Sequence, residues 1–514
     1  MGVRPPVDWP VGDLLAERAS RTPERPALVA AETGETWRYR DLDAAVDVLV
    51  DALAPHVGTG RIGLLSPARV AVVPQLFAAM RLGTPLVPLN VRAATADLAA
   101  QAERADLDVL VCTAGTAEVA RSVAPGDCTV ASTDDRDGPA AVPERDALDA
   151  EHDRHAEGSH STGPDPDSEA LLVFTSGTTG RPKGVRLTVR NLVASATASA
   201  FRLGVERGDR WLVPLPTYHV GGLSPVVRST LYGTTTVLQR GGGFEPEATA
   251  EHLRDHEVTC VSLVPTMLDR LLDSGWTPDD RLRVVLLGGA PATQELLDRC
   301  ADAGVPAWPT YGMSEASSQV ATATPEQARR FPGTVGQPLL NATVGILDAD
   351  GDPCAPSERG ELVVDGPAVT RGYLDDEHTR AAFDDDGLHT GDVGYRDEDG
   401  RLWVTGRVDD LLVSGGENVD PNRVASLLRE HPDVEDVAVV GLDDPEWGDR
   451  VAALVVPAAD DLTPAALDSH ARERLADYEL PRTVAFAAEI PRTASGTVDR
   501  DAVRDRLRSA GSSR

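Results

Sequence analysis

The chain reads as an α/β protein in two parts, a large N-terminal body of layered sheets and helices and a small α+β unit at the C-terminal end. Three observations predict this. Apolar segments alternate between helical and strand-like spacing over the first hundred or so residues and again from 171 to about 330, the pattern of mostly parallel sheets covered by helices. The 514 residues exceed what one hydrophobic core holds, roughly 250–300 residues. After Gly406 a fresh series of elements begins, about a hundred residues long and large enough to fold and move separately.

Taken in order, DLLAERASRTPERPALVA (13–30) has the spacing of an amphipathic helix, a turn and a strand. Gly58, Gly60 and Gly63 spell GxGxxG. The strand RIGLLS runs through and after them, however, whereas a dinucleotide fingerprint needs a strand before and a helix after; the glycines form a turn. AVVPQLFAAMRLGTPLVPLN (71–90) repeats the helix–strand cycle. From about 122 to 169 the composition shifts to Asp, Ala, Pro, Gly and Ser, the signature of an acidic, solvated insertion. His152, His155 and His160 fall in it beside acids and suit a wet loop better than a metal site. Residues 333–405 read as short strands with Asp/Gly turns. DADGDP (348–353) begins like a calcium loop, yet Arg359 stands where the closing bidentate Glu belongs, so it is a hairpin turn. Beyond DDLLVSGGENV come a helix (PNRVASLLREH), two strands (VEDVAVVGL, RVAALVVP) and a helix (PAALDSHARERLA). The boundary is set between an N-terminal domain, 1–408, and a C-terminal domain, 409–514.

Charge narrows the class. Lys+Arg total 49 against 82 Asp+Glu, a net −33, which repels nucleic acid and anionic membranes. No stretch reaches the roughly 18 apolar residues of a membrane span, and MGVRPPVDWP lacks an apolar signal core. Five scattered cysteines without a CxxC pair suit a reduced, cytoplasmic protein. All fixed positive charges but one are arginine; the single lysine is Lys183. A GC-rich genome or adaptation to molar salt accounts for such a surface, and a halophile is the leading reading. In that background a surviving lysine needs a reason.

LLVFTSGTTGRPKGVRLT (171–188) supplies one. An apolar strand runs into glycines that free the backbone to wrap an anion, hydroxyls that donate to phosphate oxygens, and a lysine. It is not the usual P-loop, because Pro182 precedes the lysine and Gly184 replaces the Ser/Thr that would hold magnesium.

TSGTTGRPKG, YGMSEAS (311–317), HTGDVGYRDEDGRL (389–402) and GRVDDLLVSGGENV (406–419), in that order, resemble the adenylate-forming superfamily of acyl-CoA synthetases, luciferases and peptide-synthetase adenylation domains. The resemblance runs from Leu14 to Arg500. It implies a fold with a small rotating C-terminal domain, and a reaction of a carboxylate with MgATP giving an acyl-adenylate and pyrophosphate, then transfer to a thiol such as CoA. Thr175, Ser176, Gly177, Thr178, Thr179, Gly180 and Lys183 are then expected to hold the β,γ-phosphates. Ser314 contacts phosphate and Glu315 binds Mg²⁺, with Thr175 as a further ligand. Tyr311, Gly312 and the backbone of Gly288, Gly289 and Ala290 enclose adenine, and Asp392 takes both ribose hydroxyls. Arg407 contacts ribose and fixes the closed form, Asp409 is the pivot, and the Gly415-Gly416 loop approaches the site for thioester formation. One motif departs: PRTASGTVDR (491–500) carries Thr497 where the family has a lysine. Loss of one such donor costs about 10²–10³ in rate, and Arg492 or Arg500 could take its place.

The acyl side lies in PTYHVGGLSPVVRSTLYG (216–233) and after Glu315. With LLGGAP, VPTMLDRLLD, GTVGQPL and YGMSEASSQVAT, it most resembles the o-succinylbenzoate–CoA ligases of menaquinone synthesis. That substrate keeps one carboxylate anionic while the other reacts, and a buried anion needs a positive partner. Arg228 either supplies it or is paired with one of the many acids. His219 walls the acyl pocket as a gate rather than a proton carrier, and Ser318 and Gln319 are candidate polar contacts. The other readings are another aryl- or medium-chain acyl-CoA ligase, and a nucleotide-binding protein without adenylation activity. The partners expected are small molecules, with no nucleic acid or membrane insertion and a homo-oligomer left open.

Overall fold

The computed structural model describes residues 12–67, 70–135, 138–141, 165–175, 182–241, 243–408, 412–414, 417–444, 448–459, 462–472, 475, 477–492 and 498–511. The chain divides into two compact units, Met1–Thr343 with Val364–Leu388, and Val344–Val363 with His389–Arg514.

The first unit is built on two sheets. One has nine strands in the order Gln337–Pro338, Ser318–Thr322, Ala307–Met313, Val284–Leu287, Cys260–Leu263, Arg210–Val213, Thr235–Leu238, Pro26–Ala30 and Thr36–Arg38. From Ala307–Met313 to Pro26–Ala30 neighbours run parallel; the outer strands are antiparallel. The other sheet orders Thr129–Ser132, Leu107–Cys112, Arg61–Leu65, Leu86–Pro88, Glu169–Thr175 and Lys183–Thr188, parallel except for the last pair.

Strand period decides the layers, because successive side chains face opposite ways. Trp211 and Val213 enter the central core and Leu212 an outer one; Val284 and Leu286 divide from Val285 and Leu287 in the same way. In the smaller sheet Val109 and Val111 face the central core, while Leu110 and Cys112 face another outer one. The helices Tyr39–Leu53, Val72–Leu82, Val189–Leu203 and Val220–Tyr232 fill the middle, and further helices cover each outer face. Near-continuous apolar runs such as VVLL (284–287) are the mark of strands covered on both sides.

The segment from about 122 to 169, read from the sequence as a solvated insertion, begins with regular structure. Helix Ala117–Val123 and strand Thr129–Ser132 belong to the smaller sheet. Ala140 is fully buried, its carbonyl accepting from Gln75 Nε2 at 3.0 Å. Thr129 and Val130 are β-branched and fit a short edge strand despite the acids around them. His152, His155 and His160 lie outside the described residues. DADGDP is a hairpin turn, with Leu347 bridged to Pro353 and Asp348 Oδ1 accepting from the backbone of Asp350 and Asp352.

In the second unit Val434–Asp444 and Gly448–Pro457 form a long antiparallel pair, with Thr483–Phe486 parallel beside it. Val437, Val439, Val451, Ala453 and Val455 pack against helices Pro421–Arg429 and Pro464–Arg472. Ala438, Val440, Leu442, Ala452 and Leu454 pack instead with Val503 and Leu507 of helix Arg500–Gly511. Among the described residues no helix is long and apolar enough to cross a membrane.

One buried cation ties three helices of the first unit together. Arg81 pairs through Nε with Asp13, through Nη1 with Asp47 and through Nη2 with Asp43, the last at 2.6 Å, and its side chain is 6% exposed. Asp13 is also the N-cap of Leu14–Arg21, accepting from Leu15 and Ala16. Burial holds the Asp43 carboxyl above its usual range, against the opposing pull of Arg81. Replacing Arg81 by Ala leaves three crowded carboxylates without their cation, so Arg81→Ala should lose ~3–5 kcal/mol of stability. Denaturant titration of the native protein and the variant at neutral pH checks this.

Candidate active site

Parallel strands deliver loops to their carboxyl ends, where open α/β sheets bind ligands. The sequence-predicted residues of the first unit gather along that edge. Arg210–Val213 leads to Tyr218 and His219, Val284–Leu287 to Gly288, Gly289 and Ala290, and Ala307–Met313 carries Tyr311 and Gly312 before Ser314 and Glu315. Gly289 holds φ +81°, and Ala290 beside it is exposed. At Gly312 a Cβ would sit 1.8 Å from the Ser318 carbonyl, so only glycine allows the bulged hairpin to close there.

The phosphate-loop hairpin is held at its base. Thr175 pairs with Lys183 across the strands and Thr175 Oγ1 lies 3.4 Å from the Lys183 carbonyl. Ser176, Gly177, Thr178, Thr179 and Gly180 lie outside the described residues. Lys183 forms no ion pair among the described residues; its Nζ stands 5.3 Å from the centre of the Tyr373 ring, a cation–π contact. The Tyr373 hydroxyl donates to Glu315 Oε1 at 3.0 Å, and the Glu315 carbonyl accepts from the Thr370 amide at 2.6 Å. Glu315 Oε2 makes no hydrogen bond among the described residues, so one oxygen is fixed and the other available, as a magnesium ligand requires. Tyr373 is a residue that sequence reasoning missed. Its only local signal is a lone tyrosine in a chain holding seven.

Arg228 is 1% exposed. Its Nη2 donates to Ser318 Oγ at 2.7 Å and its guanidinium lies 5.6 Å from the Trp211 ring centre. Nε and Nη1 have no hydrogen-bond partner, and no carboxylate pairs with it among the described residues. Burial pulls its pKa down. Of the two readings open from sequence, pairing with an acid is therefore not what the fold builds. Gln319, one residue past Ser318, is occupied elsewhere: its amide donates to Thr322 Oγ1 at 2.8 Å, and it lines a small cavity with Ala194, Ala198, Leu339 and Asn341. Sequence proximity had grouped it with Ser318, but adjacent strand residues face opposite ways.

In the second unit Asp392 lies opposite Arg407 on paired strands, with Arg407 Nη1 3.1 Å from Asp392 Oδ1. Glu361 steadies the turn before Asp392, accepting from the Gly391 amide at 2.9 Å and meeting His389 Nδ1 at 2.9 Å. Asp409, Gly415, Gly416 and Thr497 lie outside the described residues. The two arginines considered as replacements for the missing lysine are engaged, Arg492 with Asp436 at 2.7 Å and Arg500 with Asn422 at 3.3 Å.

The AMP-binding enzyme family matches residues 15–374, and the AMP-binding enzyme C-terminal domain matches 423–497. The chain belongs to the AMP-binding enzymes, with the adenylate-forming fold of a large N-terminal and a small C-terminal domain. It is 35% identical over 489 residues to the 2-succinylbenzoate–CoA ligase of Bacillus licheniformis, covering 95% of this chain and 98% of that one. The o-succinylbenzoate CoA synthetase of Bacillus subtilis in complex with its acyl-adenylate intermediate superposes with a TM-score of 0.84 at 33% identity, covering 96% and 98% of the two chains. The same Bacillus subtilis enzyme in complex with ATP and magnesium ion gives 0.85 at 33% identity, covering 96% and 99%.

His219 precedes helix Val220–Tyr232 with its ring edge-on to Tyr218, centroids 4.7 Å apart, and burial lowers its pKa. A histidine that takes its proton more readily unfolded than folded weakens the fold as pH drops below its ordinary value near 6.5. Thermal scans of the native protein and His219→Asn between about pH 7.5 and 5.5 should therefore show the variant losing less stability on acidification.

Proposed function

We propose that this protein is an AMP-forming acid–thiol ligase that converts 2-succinylbenzoate, ATP and CoA into 2-succinylbenzoyl-CoA, AMP and pyrophosphate. A carboxylate oxygen of the acid attacks the α-phosphorus of ATP and the bond to the bridging oxygen breaks, releasing pyrophosphate. The CoA thiol, losing its proton, then attacks the acyl carbon and AMP leaves. Lys183 and the 175–180 loop orient the β,γ-phosphates, and Ser314 donates to phosphate. Mg²⁺, when bound through Glu315 with Thr175 as a further candidate ligand, neutralises phosphate charge in the first step. Tyr311, Gly312 and the Gly288–Ala290 backbone wall adenine. Asp392 and Arg407 are assigned to ribose, and Asp409 to the pivot between an N-terminal domain ending at 408 and a rotating C-terminal domain. His219 gates the acyl pocket.

The observation that carries the substrate is Arg228: a fully buried guanidinium with two nitrogens unpartnered and Ser318 beside it. A buried cation left so costs free energy unless a ligand completes it. The carboxylate of 2-succinylbenzoate that does not react supplies that partner, whereas a fatty-acyl chain supplies none. Arg228→Met should raise the 2-succinylbenzoate concentration needed for half-maximal pyrophosphate release by roughly 10²-fold, and leave that for benzoate-type monoacids nearly unchanged. Equal effects on both would remove Arg228 from the substrate role.

Thr497 motivates the second reading, a nucleotide-binding protein without adenylation. Absence of pyrophosphate release from the native protein with every carboxylate tried would favour it. The net charge of −33 and single lysine support a cytoplasm of molar salt as the working medium, where screening shortens acid–acid repulsion to about 3 Å. Melting temperature and ligase rate should both rise on passing from about 0.1 M to molar KCl; a fall in both would exclude a halophilic setting.

A further inference from the structure

Tyr373 lies outside every motif that points to nucleotide chemistry, yet it touches two of the residues assigned to it. Its hydroxyl donates to Glu315 Oε1 at 3.0 Å, and its ring carries the Lys183 ammonium at 5.3 Å. The residue is 4% exposed and its own backbone is tied down, bridged to Val185 and with its amide donating to Thr379 Oγ1 at 2.9 Å. Val185 stands two residues after Lys183 on the same strand, so the bridge that seats Tyr373 also sets its distance from the phosphate-loop hairpin.

We propose that Tyr373 is a positioning residue for MgATP, its hydroxyl aiming the Glu315 carboxylate at the metal and its ring holding the Lys183 ammonium in place for phosphate. This deepens the adenylation reading and rests on it for the roles of Glu315 and Lys183. The two halves of the side chain act separately. A phenol hydroxyl hydrogen-bonded to one carboxylate oxygen removes a rotamer choice from Glu315 and leaves Oε2 to face the cation. The ring face attracts the ammonium without setting an anion beside it, as a carboxylate would, and so leaves no competing anion between Lys183 and phosphate. That choice of partner is notable in a chain where acids outnumber basic residues by 82 to 49.

The experiment uses the full chain and no carboxylate substrate. ATP affinity is measured by calorimetry in excess Mg²⁺ and again in EDTA, for the native protein, Tyr373→Phe, Tyr373→Leu and Glu315→Gln. Tyr373→Phe keeps the ring and should match native affinity in EDTA, while the gain conferred by Mg²⁺ falls roughly tenfold, the worth of one hydrogen bond to a charged group. Tyr373→Leu should show the same lost gain and also bind ATP more weakly in EDTA. In a Glu315→Gln background Tyr373→Phe should change the Mg²⁺ gain no further. A Phe variant with the native gain, Phe and Leu variants that behave alike, or a Phe variant that no longer folds would each overturn the proposal and return Tyr373 to core packing. Since no acyl substrate enters the assay, an error in the 2-succinylbenzoate assignment shows only in pyrophosphate release, whereas an error here shows in the Mg²⁺ gain.

Discussion

A parallel strand covered by helices on both faces has no side chain to spare for chemistry along its length, so its function is confined to its ends. That constraint governs the first unit. Leu212, Val261, Val285 and their neighbours are spent on one core or another. What emerges past them, Tyr218-His219, Gly288–Ala290 and Ser314-Glu315, is polar, small or aromatic, and comes from separate strands onto one edge. Order along the chain and order in the sheet differ, which is why motifs a hundred residues apart become neighbours.

The fold was legible because its elements obey simple periods. VVLL and VAVVGL announce strands buried twice over, and of the decoy glycines Gly58 and Gly60 lie in a turn with their amides on Asp108 Oδ2 while Gly63 sits in the strand Arg61–Leu65. Less legible was the acidic stretch, since composition blurred a short edge strand, Thr129–Ser132, into the acid-rich sequence that follows it. Within the site, the motif residues Gly288–Ala290, Tyr311 and Ser314-Glu315 lie at the ends of strands or just past them. Contacts between motifs were not legible: Tyr373 reaches Glu315 across 58 positions and Arg228 reaches Ser318 across 90. Pairings of that length depend on topology, and single-sequence periodicity carries no record of them. Gln319 parts from Ser318 for the opposite reason, adjacency in sequence being separation across a strand.

Arginine's geometry explains much of how so acidic a chain holds together. A guanidinium has five donors in a planar fork and serves several carboxylates at once. Arg81 gathers three aspartates, Arg299 joins Asp269 and Asp273, and Arg401 joins Asp397 and Asp399. With fewer cations than acids, branching cations are the economical choice. Arg228 departs from this pattern, a buried fork with two nitrogens unmatched among the described residues.

The Lys183 ammonium, seated on the Tyr373 ring, has a chemical meaning beyond its charge. Acyl-adenylates are potent acyl donors toward amines, and lysine is the side chain that acquires such groups, whereas a guanidinium that stays protonated resists them. A protein that generates so reactive a species while displaying a single side-chain amine offers its own product almost nothing to modify. The one side-chain amine it keeps is also held against an aromatic ring rather than left on an idle surface.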